Sequence, residues 1–468
     1  MNKSWHQFLT YALSIVITRG LSLIMLPFIT RYLAPEQIGR LELLATIGVF
    51  IGLFITVCLH EALYRFAGHY RSLIKQYVIA SKLFTLSCFV AIIITMIVLV
   101  ASLFIPNESL LPITRQELVL TLITVMFTGP LSIATAWLRM QDKARLFLAI
   151  SSAASLIQVL WIVVALTTQA SVASILWAAL ISTLIQIVAL QWVNRLSLRT
   201  SSLKSIQTYT WYTFPIVGSG VVAFGLSGAE KWILAASTSL LELGWYAIAA
   251  KFALAACLLV QPFGMWWMPK RFNVLRTAGN NQTVKITQAG LIYVCIVTTC
   301  MSFIAPLFIT AALPDTYHSA INYIVPVLII ALFKELSEIT NIGILYRKQT
   351  KQLLVINSAC AAAGILLATI ASQWGIMGIL TTLCTVGFVR FIAVYIVSQR
   401  LLRLEYNVLP VAFIILLTVV LISFSSQVTQ VESRLVLSLL APICVLLVTL
   451  ILQRLSHINF PSLYLRER

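Results

Sequence analysis

The chain has 468 residues, of which 60% are hydrophobic and 10% are charged, and its formal net charge is +18. No soluble core requires so much apolar sequence, and apolar runs long enough to cross a bilayer recur from end to end, so the composition predicts an all-α polytopic membrane protein. The cations lie singly or in pairs between apolar runs and form no dense basic patch. This pattern excludes nucleic acid as a partner.

The first apolar run, from Phe8 to Ile29, is too long for a signal-peptide core and lacks a small-residue cleavage site, so we expect it to remain as a signal anchor and first span. In all, the sequence predicts about fourteen transmembrane helices, each near the ~20 residues needed to cross the hydrocarbon core. They are predicted at residues 8–30, 42–66, 78–104, 118–138, 147–167, 173–194, 212–236, 243–266, 287–312, 322–345, 352–372, 376–398, 409–426 and 434–453.

Lysine and arginine are concentrated in alternate loops, which indicates how the chain is oriented in the membrane. The basic set contains Arg71, Lys75, Arg139, Lys143, Arg145, Arg195, Arg199, Lys204, Lys270, Arg271, Arg276, Arg347, Lys348, Lys351, Arg400 and Arg403, and the C-terminal tail adds Arg454, Arg466 and Arg468. The other loops carry only Arg31, Arg40, Arg115 and Arg434. Since basic loops stay inside, both the N and the C terminus are predicted to be cytoplasmic.

An internal repeat is indicated by three short matches. The segments Arg139–Lys143 and Arg347–Lys351 both read R-x-Q-x-K at a separation of 208 residues. Arg-Phe pairs close the second span at 65–66 and the eighth span at 271–272, 206 residues apart, and the predicted outer turns at 36–39 and 242–244 align at nearly the same offset. The matches predict two pseudo-symmetric six-helix halves, residues 1–200 and 201–406, followed by two extra helices and a cytoplasmic tail, residues 407–468.

Charged residues inside the apolar segments are the main functional signal. Basic side chains interrupt four of these segments, at Arg19, Lys251, Lys334 and Arg390. A cation at that depth is costly unless it faces a partner or a wet cavity, so such residues mark a transport path by default. Because few unpaired acids accompany them, we expect a cationic cavity that binds an anionic substrate.

Each of these residues also has a structural alternative. Lys334 and Glu338 are four residues apart on one helical face and could neutralise each other. Arg390 lies near its cytoplasmic end and could extend its side chain to the interface. Arg19 has no acid within four residues, and the carboxylate nearest to Lys251 in sequence on that helix, Glu242, is two turns away. These two residues are therefore harder to explain by local pairing.

Two carboxylates are candidates for ion coupling, because a buried carboxylate can titrate when its neighbours move. Glu61 stands near the inner end of the second span and has Arg65 four residues on, so a structural ion pair is the alternative for it. Glu335 is the second candidate, in the tenth span.

Enzymatic chemistry has no support in the sequence. The outer loops are short, and neither a nucleotide-binding loop nor a Ser-His arrangement nor metal-ligand spacing is present. The cysteines all fall inside apolar runs, where they are expected to serve as small packing residues. We therefore predict a non-enzymatic protein without a cofactor or a metal.

Several motifs resemble a known family. They are Tyr11…Leu26-Pro27…Thr30-Arg31-Tyr32-Leu33-Ala34-Pro35-Glu36…Gly39 in the first span and turn, Leu138-Arg139-Met140-Gln141 after the fourth span, Phe214-Pro215 and Glu230-Lys231-Trp232-Ile233-Leu234 in the seventh, and Glu242-Leu243-Gly244-Trp245-Tyr246…Lys251 in the eighth. This set resembles the polysaccharide-transporter flippases of the multidrug/oligosaccharidyl-lipid/polysaccharide exporter superfamily. The chain has Glu230-Lys231 where an Asp-Arg pair is commoner.

The resemblance implies a flippase that moves undecaprenyl-pyrophosphate-linked oligosaccharide across the bacterial inner membrane, by alternating access, for O-antigen or another surface polysaccharide. Its implied partners are that lipid-linked oligosaccharide, the membrane lipids and, as candidates, other membrane proteins of polysaccharide assembly. Two alternatives of the same superfamily stay open. An ion-coupled drug or small-molecule antiporter would need acids in its cavity, whereas a lipid II flippase would share the cationic cavity.

Overall fold

The computed structural model describes residues 20–21, 23–104 and 113–455. These residues form helices joined by short turns, and no strand occurs in the described part of the chain. The chain divides into two compact units, unit 1 at Met1–Ala235 and unit 2 at Ala236–Arg468. The predicted boundaries at 200/201 and 406/407 follow the sequence repeat and stay a prediction.

Unit 1 is built from long apolar helices and several short ones. In chain order they are α1 (Leu26–Tyr32), α2 (Pro35–Thr56), α3 (Leu59–Ala62), a π-helix (Leu63–Ala67), α4 (Leu73–Leu103), α5 (Arg115–Met126), α6 (Thr128–Met140), α7 (Ala144–Thr168), α8 (Val172–Asn194), α9 (Leu203–Ser227) and α10 (Glu230–Ser237). A core cluster around the fully buried Leu63, Leu83 and Trp137 joins α3 and the π-helix to α4 and α6.

Local sequence explains where several of these helices begin. The Thr114 hydroxyl accepts a hydrogen bond from the Glu117 amide while the Glu117 carboxylate accepts one from the Thr114 amide, which is a capping box at the start of α5. Ser171 and Ser202 cap α8 and α9 through their hydroxyls. These caps satisfy amides that the first helical turn leaves without partners.

Unit 2 is organised around its longest helix. Its elements are α11 (Leu240–Trp267), α12 (Arg271–Thr277), α13 (Gly279–Ala312), a 3₁₀ helix (Asp315–Tyr323), α14 (Ile324–Thr340), α15 (Ile342–Tyr346), α16 (Thr350–Ala371), a 3₁₀ turn (Ser372–Trp374), α17 (Gly375–Leu401), α18 (Val408–Phe424) and α19 (Val431–Leu455). Helix α13 packs against α11, α14, α18 and α19. It is therefore the core element of this unit.

The all-α membrane fold that the sequence predicts is confirmed. Among the described residues, 10 helices are long and apolar enough to cross a membrane, or 11 when α9 and α10, which meet at a 46° bend, count as one span. Every predicted span from 42–66 onward falls on one of these helices, on the α9–α10 pair or on the shorter α18, and the spans predicted at 352–372 and 376–398 fall together on the helical segment Thr350–Leu401. The first predicted span, 8–30, lies mostly outside the described residues, so the count of fourteen and the cytoplasmic termini stay predictions.

The basic turns of the two units have the same backbone geometry. Asp142, between α6 and α7, has φ of 56°, and Lys348, between α15 and α16, has φ of 57°. In both turns the amide of the following residue donates to a carbonyl five residues back, from Lys143 to Leu138 and from Gln349 to Ile344. The equivalent positions are thus 206 residues apart, which is the offset of the Arg-Phe pairs. The R-x-Q-x-K match is displaced from this geometry by two residues.

One close helix contact allows a direct test of packing in unit 2. A Cβ on Gly343 of α15 would lie 2.1 Å from the backbone oxygen of Ser398 on α17, and the Gly343 amide donates to the Ser398 hydroxyl at 2.9 Å. We expect Gly343→Ala to destabilise the protein by about 1–3 kcal/mol, because backbone atoms cannot give way as a side chain can. The measurement is thermal unfolding of the purified protein in detergent. Gly218→Ala is the control, since nothing lies within 4 Å of its Cβ; an equal loss in both variants would contradict the prediction.

Candidate substrate-binding site

Arg390 of α17 is largely buried within unit 2 and is bonded to two neighbouring helices. Its Nη2 is 3.1 Å from Oε1 of Glu338 on α14, and its Nε donates to Oδ1 of Asn357 on α16 at 2.9 Å. Only 11% of the Arg390 side chain is exposed, against 47% of the Glu338 side chain. The carboxylate is therefore the more accessible partner of this ion pair.

The hydrogen-bonded chain continues from Glu338 to a second arginine. Asn341, in the break between α14 and α15, donates from Nδ2 to Glu338 Oε2 at 3.3 Å and accepts from Nη1 of Arg271 at 3.1 Å. Arg271 opens the short helix α12 and is 6% exposed. Its Nε atom is buried without a hydrogen-bond partner among the described residues.

The charges in this chain do not balance. Arg271 and Arg390 supply two cations, and Glu338 supplies one carboxylate. Burial lowers the pKa of Arg271, and the negative charge of Glu338 opposes that effect. A buried guanidinium group without a full countercharge favours the binding of an anion. We call Arg271, Glu338, Asn341, Asn357 and Arg390 the arginine chain.

Lys251 and Lys334 carry no ion pair within the described parts of unit 2. Lys251 is half-buried on α11, and Lys334 is exposed on α14, one turn before Glu338. The sequence alternative in which Lys334 and Glu338 neutralise each other is not what the structure shows, because Glu338 bonds to Arg390 and Asn341 instead. Glu338 pairs with Arg390 and not with Lys334 because Arg390 lies opposite it on helix α17.

Glu335 and Glu61 stand in different surroundings and belong to different units. Glu335 is beside Cys257 of α11 and next to Lys334 in the chain. Glu61 lies on the short helix α3, where its Oε1 is 3.6 Å from Nε2 of His60. No ion pair joins Glu61 to Arg65 in the described structure, since the π-helix that begins at Leu63 changes the α-helical spacing between them. Ion coupling through either carboxylate stays a prediction.

The segment before Glu61 has a strained backbone. Val57 and Cys58 have φ of 42° and 49°, in the left-handed region that non-glycine residues rarely adopt. They separate α2 from α3 inside one apolar segment, Pro35–Ala67. A left-handed β-branched residue is unfavourable, so packing of the neighbouring residues must hold this break in place.

The remaining buried charges of unit 1 join helices to one another. Lys231 of α10 binds the Glu42 carboxylate of α2, and Arg40 Nη1 is 3.3 Å from Glu117 Oε1 on α5. Lys231, part of the Glu230-Lys231 motif, thus links two helices. Each cation has its carboxylate, which is the structural arrangement that the cost of an isolated charge demands.

Two cavities accompany these groups. In unit 1, a space of about 530 Å³ is lined by Tyr64, Arg65, Phe66, Gly68, His69, Tyr70, Ile79 and Tyr209. In unit 2, an apolar groove of about 460 Å³ is lined by Leu291, Phe333, Thr340, Phe388, Phe391, Ile392, Tyr395, Tyr406, Val408, Val411, Ala412, Ile415, Leu416 and Val419. Phe333 and Phe391 of this lining are the chain neighbours of Lys334 and Arg390, which do not themselves line the groove.

Of the predicted cavity residues, Lys251, Lys334 and Arg390 all lie in unit 2, and Arg19 lies outside the described residues. Sequence reasoning missed Asn341, Asn357 and Arg271. The two asparagines interrupt apolar runs and could have been found by searching for amides as well as charges. Arg271 was noted as half of a repeated Arg-Phe pair, but its burial had no sequence signal because it stands in a basic loop.

The helices define a multi-pass membrane protein, and solved structures share its fold. Lipid II flippase MurJ in an inward closed conformation has 13% identity and a TM-score of 0.71, with 96% of this chain and 99% of that chain covered. An inward-facing multidrug resistance MATE family transporter of the MOP superfamily has 11% identity and a TM-score of 0.58, over 83% and 94%. The Vibrio cholerae MATE transporter VcmN in the bent form has 12% identity and a TM-score of 0.52, over 86% and 96%.

The family follows from the sequence itself. Residues 4–272 match the model of the polysaccharide biosynthesis protein family, and this chain belongs to that family. No curated protein matches the chain. The predicted family and the transporter fold are therefore confirmed.

The paired and unpaired cations of unit 2 should respond differently to neutralisation. We expect Lys251→Met and Lys334→Met to leave the melting temperature unchanged or raised, because each removes a charge that has no ion pair in the described structure. Arg390→Met should lower the melting temperature, since it leaves the Glu338 carboxylate without its cation.

The measurement is thermal unfolding of the three purified variants in the same detergent. Because all three positions receive methionine, the two lysine variants are the control for the arginine variant. If Lys251→Met lost as much stability as Arg390→Met, the distinction between paired and unpaired cations would be wrong.

Proposed function

We propose that this chain is a flippase that moves undecaprenyl-pyrophosphate-linked oligosaccharide repeat units across the bacterial inner membrane, for O-antigen or another surface polysaccharide. Membership of the polysaccharide biosynthesis protein family and the transporter fold support the proposal. The observation that carries it is the excess of cations in unit 2. Lys251, Lys334 and the arginine chain offer more positive charge than the described carboxylates beside them can balance.

A pyrophosphate headgroup is the kind of cargo that this charge suits. The headgroup must leave its water and counterions to pass a region of low dielectric constant, where charge-assisted hydrogen bonds are strong. Arginine offers a planar fork to phosphate oxygens, and lysine offers a mobile point charge. We expect Arg19, Lys251, Lys334 and Arg390 to contact the headgroup during its passage.

The apolar groove of unit 2 supports a substrate that carries a lipid tail. Its lining is mostly aliphatic and aromatic, and two of its residues, Phe333 and Phe391, are the chain neighbours of Lys334 and Arg390. A polyprenyl chain could lie in this groove with its pyrophosphate at the cations. In the alternating access that we infer, the headgroup enters from the cytoplasmic side, the tail stays in apolar surroundings, and the site then opens to the outer side.

Two other cargoes fit the fold. A cationic drug, as carried by an antiporter, is disfavoured by the cation excess, because like charges repel at close range. Lipid II also bears a pyrophosphate, and the similarity to the MurJ structure favours it as the second candidate. The two lipid-linked cargoes differ in their sugars. The polymer that a deletion strain fails to make, surface glycan or peptidoglycan, therefore distinguishes them.

Complementation of a deletion strain tests the function and its cations together. We expect the deletion to accumulate lipid-linked repeat units and to lose surface glycan. Arg19→Ala, Lys251→Ala or Lys334→Ala should then restore less than about a tenth of the wild-type surface glycan at equal membrane levels, because loss of one charged contact costs more than about 1.4 kcal/mol.

The control is Lys204→Ala, which removes an exposed cation at the start of α9. Full rescue by all three cavity variants would refute the cationic site. If the deletion strain keeps its surface glycan, the proposed substrate is wrong. If peptidoglycan synthesis stops instead, lipid II is the substrate.

A further inference from the structure

The carboxylate of the arginine chain, Glu338, is exposed although it forms an ion pair with a nearly buried arginine. The exposed fraction is 47% for the Glu338 side chain against 11% for the Arg390 side chain. Arg390 donates from Nε to Asn357 and from Nη2 to Glu338. An anion that binds the Nη2 group of Arg390 therefore competes with Glu338.

A second arginine is ready to compensate the displaced carboxylate. Glu338 Oε2 already accepts from Asn341, whose Oδ1 accepts from Arg271. The Nε of Arg271 is buried and unpartnered in the described structure, and no ion pair with Arg271 is found there. A shift of the carboxylate toward Asn341 would bring it closer to a cation that lacks one.

We infer that Glu338 is an exchangeable resident counter-ion: it occupies Arg390 when the substrate is absent, yields that arginine to the substrate's pyrophosphate, and moves toward Asn341 and Arg271. This inference rests on the proposed function, which supplies the anionic substrate. It assigns Glu338 and Asn341 as positioning residues that act through Arg390.

The exchange has two consequences for transport. It keeps the cost of a buried, uncompensated arginine low in the empty protein, because each state provides Arg390 with an anion. It also weakens substrate binding, since part of the binding free energy is spent on displacing the carboxylate. Weak binding permits release, which a transporter needs as much as capture.

The inference predicts opposite effects for two substitutions in one hydrogen-bonded chain. Glu338→Gln removes the competing charge and should tighten binding on the order of tenfold, within the usual range of coupling between two sites. Asn341→Ala removes the link toward Arg271, leaves the carboxylate on Arg390, and should weaken binding. A purely structural role would weaken binding in both variants.

The experiment is calorimetric titration of the purified full chain in detergent with farnesyl pyrophosphate, a soluble polyprenyl pyrophosphate. The variants are Glu338→Gln, Asn341→Ala, Arg390→Gln and the double variant Glu338→Gln with Arg390→Gln. The control is Glu405→Gln, which neutralises an exposed carboxylate that has no ion pair in the described structure. We expect the control to bind as the wild type does and the double variant to bind as weakly as Arg390→Gln alone.

The outcomes separate this inference from the proposed function. If Arg390→Gln loses binding but Glu338→Gln binds no tighter than the wild type, the counter-ion exchange is refuted and the anion site stands. If Glu338→Gln tightens binding equally when Arg390 is replaced, the effect is a general one of charge and the exchange is also refuted. If neither the wild type nor Glu338→Gln binds the probe, the anion site of the proposed function fails and the exchange fails with it.

Discussion

The free-energy cost of placing a charge in hydrocarbon governs the arrangement of this protein. In unit 1 two cations meet this cost by direct pairing, as Lys231 binds Glu42 and Arg40 binds Glu117. In unit 2 Glu338 binds Arg390 directly and is joined to Arg271 through Asn341, while Lys251 and Lys334 have no ion pair in the described structure. The same constraint therefore makes one set of charges structural and leaves the other set available to an anionic ligand.

Much of the fold could be predicted from the sequence, because helix length and apolar composition are local properties. The segments from 42–66 onward fall on helices, and the capping residues Thr114, Ser171 and Ser202 stand where helices begin. What could not be predicted is where those helices deviate from α-helical geometry. Neither the left-handed Val57 and Cys58 nor the π-helix after them has a sequence signal, since neither residue is one that normally adopts that conformation.

The candidate site could be predicted only in part, because its charged residues find their partners on other helices. Lys251, Lys334 and Arg390 stand out as charges in apolar runs, but a partner four residues away on the same helix is easier to predict than one on another helix. Tertiary packing paired Glu338 with Arg390 of α17 in place of Lys334, whereas Glu61 lies against its chain neighbour His60 because the π-helix separates it from Arg65. The amides of Asn341 and Asn357 connect charges that are far apart in the chain, and their role is visible only in three dimensions.

The left-handed break in unit 1 also stores conformational strain. Each left-handed residue costs roughly 1–2 kcal/mol relative to a right-handed helix, and the core cluster that buries Leu59, Ala62 and Leu63 must supply at least that much stabilisation. Glycine at positions 57 and 58 would adopt the same backbone without this cost, because it has no Cβ. The strain is therefore a property of the side chains Val57 and Cys58 and not of the break itself.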